Sequence, residues 1–124
     1  MQLDLQGSAV AGRAAVRRHV EQRALFEFAR YGERVATVRM RVVERPPSSA
    51  HRYHCGVAVT LVQDDGAPTH VLSRSEGDDA FRLIEAVLAR ASSLAGGEIE
   101  RAAAAQAARE QWMAAAEGGP RKAS

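Results

Sequence analysis

A single cysteine, Cys55, in 124 residues leaves no partner for an internal disulfide and fits a reducing compartment. Long apolar runs are missing as well, since nothing approaches the roughly 18–20 residues that a membrane span needs. The opening MQLDLQG carries an acid and no basic stretch ahead of an apolar run, so it does not read as a secretory leader. No glycine-rich stretch closes on Lys-Ser or Lys-Thr to cradle nucleotide phosphates. Charge of one sign is scarce too, the net value being only +2. These absences leave one cytoplasmic globular domain, with or without a tail. The positive charge that exists is concentrated early: residues 1–44 carry +3 and residues 76–124 carry −2. A basic front half is a modest pointer to a polyanionic partner.

The stretch Ala14 to Tyr31 organises the chain. Val16, Val20, Ala24 and Phe28 recur every four residues, which stacks them on one face of a helix that packs against something. Arg17, Arg18, Arg23 and Arg30 surround that stripe, and guanidinium groups on an anchored helix suit phosphate. The alternative is a solvated face on which Glu21, Glu27 and Glu33 partly cancel the charge. Phe26 falls opposite the stripe, so it should be exposed or covered from outside. It could stack on an RNA base, or meet the tail near Trp112 or a second copy of the chain. Gly32 suits the end of the helix.

Around this helix the pattern has period two. Leu3 and Leu5 alternate with polar neighbours over Met1–Gln6, and Val38, Met40 and Val42 alternate with Thr37, Arg39 and Arg41 in a strand from Val35 to Val43. Pro46-Pro47 keeps the next segment out of the sheet, as a flexible loop. Tyr53 to Val62 places Cys55, Val57, Val59 and Leu61 on one face, and Asp65-Gly66 signals a hairpin into a short strand, Thr69–Ser73. Asp78 or Asp79 can cap a second helix with a stripe of Phe81, Ile84, Leu88, Ala91 and Ala95. Gly96-Gly97 should interrupt it, because paired glycines cost about 2 kcal/mol of helix propensity. Beyond lies an alanine-rich helical segment, Glu98 to Ala116, and an end, GGPRKAS, that should be disordered. The order β-α-β-β-β-α predicts an α+β two-layer sandwich, a mostly antiparallel four-stranded sheet with both helices on one face. Residues 1–95 form the domain and residues 96–124 an extension.

Chemistry-bearing clusters are few. His51, His54 and Cys55 hold metal-ligating atoms, with His70 able to join from the paired strand, but adjacent strand residues point to opposite faces and Cys55 belongs to the core set. The acids Asp64-Asp65 and Asp78-Asp79 sit in turns without a placed partner for acid–base work. No enzyme activity, cofactor, metal or small-molecule substrate is implied.

Several segments resemble the ribosome hibernation-promoting factor family, to which protein Y belongs. They are MQLDLQG with Val10, Ala15-Val16-Arg17 and His19-Val20, then Arg30-Tyr31-Gly32-Glu33-Arg34-Val35, then Cys55-Gly-Val-Ala-Val-Thr-Leu61, and Asp79-Ala-Phe81-Arg-Leu-Ile84-Glu85. The similarity runs to about residue 95 in the family's order and spacing. It implies a fold like that of a double-stranded-RNA-binding domain. It also implies a factor that silences translation by binding ribosomal RNA of the small ribosomal subunit, through basic rows on both helices. On that reading the RNA-binding residues are Arg17, Arg18, Arg23 and Arg30, with Arg82 and Arg90 on the second helix. Ser92, Ser93, Gly96 and Gly97 stand where the family's pattern leads one to expect further basic residues, so the second row is thin. The 29 residues after Ala95 are too few for the dimerisation domain of the family's long form, which makes this a short form. A non-catalytic interaction module of the same fold, self-associating through Phe26 or the tail, is the other reading.

Overall fold

Alternation of apolar and polar residues builds the sheet, and one helical stripe covers it. The structure, a computed structural model, describes residues 1–64 and 66–123, with side chains through Glu117. Strand β1 (Gln2–Gly7) leads through a short 3-10 turn into helix α1 (Ala14–Phe28). Strands β2 (Val35–Glu44), β3 (Tyr53–Val62) and β4 (Pro68–Gly77) follow, and then helix α2 (Ala80–Ala123). The sheet order is β1-β2-β3-β4, with β1 parallel to β2 and the other pairs antiparallel. This is the α+β arrangement that the element order predicts, an open mixed sheet with two helices.

Register puts Val38 opposite Val59, Met40 opposite Val57 and Val42 opposite Cys55, so one sheet face is a continuous apolar floor. Val16, Val20, Ala24 and Phe28 of α1 are buried in that core, as their spacing predicts. Helix α1 gives way at Ala29 to a 3-10 segment in which Gly32 takes φ 57 and ψ −132. Residues with a Cβ rarely adopt that conformation, and it turns the chain sharply into β2.

Three expectations change. Strand β4 runs past Ser73 to Gly77, because Arg74, Ser75 and Glu76 still pair with Gly56, Cys55 and His54 although they are too polar to alternate. Phe81 is not part of the buried stripe. It is partly exposed and meets the His19 ring edge-on at 5.0 Å, while Leu83 and Val87 join Ile84, Leu88, Ala91 and Ala95 inside. Gly96-Gly97 does not interrupt α2. A Cβ built at Gly96 would lie 2.7 Å from the Tyr31 hydroxyl, so this glycine makes room for a side chain of the 3-10 segment after α1 rather than breaking the helix. Ile99, one turn further on, still packs on the core. The β2–β3 loop lies outside the sheet, as Pro46-Pro47 predicts, and at its far end Asp78 accepts a hydrogen bond from the Arg52 backbone N–H at 2.9 Å and approaches His51 Nδ1 at 3.4 Å. Those bonds hold the Asp78 carboxyl below the usual carboxylate range, the Arg52 N–H contributing most.

Asp79, not Asp78, caps α2, its Oδ1 accepting from the N–H groups of Phe81 and Arg82 at 3.0 and 3.2 Å. The β3–β4 turn closes by a bond from Gly66 N–H to the Gln63 carbonyl at 2.9 Å, while Asp65 lies outside the described residues. The expected disorder of residues 118–124 concerns residues whose side chains are not described.

Candidate nucleic-acid interface

Five of the six arginines expected to meet RNA lie on α1 and α2 and the sixth, Arg30, in the 3-10 segment after α1, and their surroundings divide them. Arg17 and Arg18, early in α1, are exposed and have no ion pair among the described residues, and Arg90 of α2 is in the same state. Arg23 is half-buried, pairs with Glu27 at 2.9 Å and lies over the Phe26 ring at 4.9 Å. Arg82 is exposed and sits 3.8 Å from the capping Asp79. Arg30 is engaged inward, its Nη2 donating to Ser92 Oγ at 2.9 Å and its guanidinium lying over the Tyr31 ring.

That inward turn reflects a polar clasp between the helices. Ser92 is 0% exposed. Its hydroxyl donates to the Glu27 carbonyl at 2.9 Å, and its own carbonyl accepts from the Tyr31 hydroxyl at 2.8 Å. Ser92 therefore does not stand on the outer surface where a further basic residue would meet RNA, whereas its neighbour Ser93 is exposed. Losing the guanidinium that completes this clasp should be felt by the fold. Arg30→Gln is expected to lower stability by about 1 kcal/mol, and Arg17→Gln by less than about 0.5. Denaturant unfolding of the two variants measures the difference. Equal midpoints would mean that the Arg30–Ser92 bond contributes nothing.

By sequence, no protein-family model and no curated protein matches the chain. By fold, it is similar to a ribosomal subunit interface protein from Coxiella burnetii, at a TM-score of 0.56 and 13% identity, over 79% of this chain and 97% of that one. The two share a fold. The N-terminal domain of Protein Y from Thermus thermophilus also superposes, at a TM-score of 0.48 and 15% identity, over 77% of this chain and 96% of that domain. At these identities the likeness concerns architecture, and the chemistry must be read from this chain's own residues.

The residues considered for a metal are separated. Cys55 is buried on the helix-covered face, and desolvation pushes its thiol up to about 12. His54 lies on the opposite, open face, His51 pairs with Asp78, and His70 Nδ1 sits 3.2 Å from Thr60 Oγ1. Phe26 is 72% exposed, as its position opposite the stripe predicts, and Trp112 near the end of α2 is 73% exposed. Among the described residues no helix is long and apolar enough to cross a membrane. A group that sequence reasoning passed over lies on the far side of the molecule. Arg39 and Arg41 of β2 and Arg74 of β4 share the uncovered face of the sheet, and they too have no ion pair among the described residues. For Arg39 and Arg41 the signal was present as the polar half of the β2 alternation, while Arg74 lies in a stretch too polar to show one.

Proposed function

We propose that the protein is a cytoplasmic ribosome-associated factor that silences translation by binding small-subunit ribosomal RNA through the outer face of its helices. The observation that carries this reading is that Arg17 and Arg18 are exposed on α1 without an ion pair among the described residues, in a fold shared with a ribosomal subunit interface protein. Arg90 extends the basic face onto α2, and Arg23 and Arg82 can exchange their carboxylate partners for phosphate. Arg30 acts at one remove, by holding the two helices together. No chemistry is required of the site: it binds, and occupancy does the work.

Phosphate contacts make such binding steeply salt-dependent, because each one releases condensed counterions. Replacing Arg17 and Arg18 together with glutamine should weaken co-sedimentation with small subunits and flatten the log–log salt slope by about 1.4–1.8. A parent protein that fails to sediment with small subunits near physiological salt would overturn the reading. The exposed Phe26, Trp112 and Met113 favour a second reading, a self-associating interaction module. Sedimentation equilibrium distinguishes it, since that module would be a concentration-dependent oligomer that ignores ribosomes.

A further inference from the structure

The helices cover one face of the sheet and leave the other open. On the open face, register aligns Gln6, Arg41, Gly56 and Arg74 in one row across all four strands, and Asp4, Arg39, Ala58 and Leu72 in the next. Side chains two apart on a strand lie about 7 Å from one another, and strands are spaced about 4.8 Å. Arg39 and Arg41 therefore stand about 7 Å apart along β2, while Arg74 faces Arg41 about 10 Å away across β3. Between them the floor is low, because Gly56 and Ala58 are the central residues. A Cβ at Gly56 would come within 3.3 Å of Arg74 Cγ, so the missing side chain lets the stem of Arg74 lie across the sheet. The result is a shallow groove of about 440 Å³ edged by guanidinium groups. One acid, Asp4, reaches it, and that carboxylate accepts from the Gln6 amide at 3.0 Å rather than from an arginine.

Unneutralised arginines over a small-residue floor favour an extended polyanion. An acidic peptide fits poorly here. The groove lies on the face of the sheet and not at its edge, so it offers no backbone N–H or C=O to a peptide main chain, whose own polar groups would lose water without replacement. A nucleic-acid strand carries its acceptors on phosphates, which guanidinium forks bind bidentately, and it has no amide backbone to satisfy. The face presents no Phe, Tyr or Trp for bases to stack on, so recognition rests on the phosphates and not on the sequence of bases. We infer that the open sheet face is a second nucleic-acid surface, separate from the helix face, that holds single-stranded RNA by its backbone through Arg39, Arg41 and Arg74.

The inference goes beyond the helix-face reading and is tested apart from it, with a labelled 12-nucleotide oligouridine and no ribosome. The full chain should bind this probe and lose about 20-fold in affinity between 50 and 200 mM salt, the effect of three single-strand phosphate contacts. Arg39→Gln/Arg41→Gln/Arg74→Gln should bind more weakly with a slope flatter by about 2, a larger loss on this probe than Arg17→Gln/Arg18→Gln gives. Gln6→Arg adds a cation to the Arg41–Arg74 row and should tighten binding and steepen the slope by about 0.7, a gain that no folding defect can mimic. The sheet site is overturned if the parent does not bind the probe, if the helix pair and not the sheet triple removes binding, or if Gln6→Arg changes nothing. It is equally overturned if poly-glutamate displaces the probe at equal charge concentration, which would make the ligand an acidic protein segment.

Discussion

Val20→Asp is expected to abolish the cooperative unfolding transition. Val20 is 0% exposed, at the middle of the α1 stripe and packed within the core between helix and sheet. Replacing it removes about 1.5–3 kcal/mol of apolar burial. It also places a carboxylate in an apolar core, at a further cost of several kcal/mol unless the group takes up a proton. Domains of this size are stable by about 5–15 kcal/mol, so the sum approaches or exceeds the whole. Gln22→Asp is the control, since it adds the same charge on the exposed side of the same helix and should change stability by less than about 0.5 kcal/mol. Circular dichroism through a thermal scan reads both variants. A Val20→Asp protein melting within a few degrees of the parent would show that α1 does not dock by this face.

Where sequence reasoning succeeded, the signal was local and periodic. Strand β3 (Tyr53–Val62) and the α1 stripe each carry enough apolar residues at one spacing to identify the element and its buried face without any knowledge of neighbours. Where it failed, the cause lay far along the chain. Gly96 looks like a helix breaker until Tyr31, some 65 residues earlier, is seen against it. Ser92 looks like a polar surface position until its hydroxyl is found bonded to the Glu27 carbonyl. Strand β4 was half legible, because an edge strand with one open face needs few apolar residues to stay paired. The candidate site shows the same division. The arginines of α1 stand out because a helix carries them beside an apolar stripe. Arg39, Arg41 and Arg74 come together only when register places them across three strands, and Arg30 changes meaning once Ser92 is its partner.

Neighbouring serines on α2 should therefore respond in opposite ways to the same substitution. Ser92 lies in the clasp between the helices, accepting from Arg30 and donating to the Glu27 carbonyl, both at 2.9 Å, with no exposed surface. A lysine there would lose both bonds, at about 1 kcal/mol each, and would bring a buried ammonium against the Arg30 guanidinium. Its longer side chain would also push α1 away from α2 and release the Tyr31 hydroxyl from the Ser92 carbonyl. Ser92→Lys is expected to cost at least about 3 kcal/mol and to lower the melting temperature by about 10 °C or more. Ser93 is exposed and stands three residues beyond Arg90, on the neighbouring turn of the outer surface. Ser93→Lys should leave the melting temperature where it is. If that surface meets ribosomal RNA, the new cation should also tighten small-subunit binding and steepen the salt slope by roughly 0.7–0.9. Equal melting of the two variants would remove the clasp from the account of the fold. A Ser93→Lys protein with parental melting and parental salt slope would show that α2 takes no part in binding, leaving Arg17 and Arg18 of α1 to carry the helix face alone.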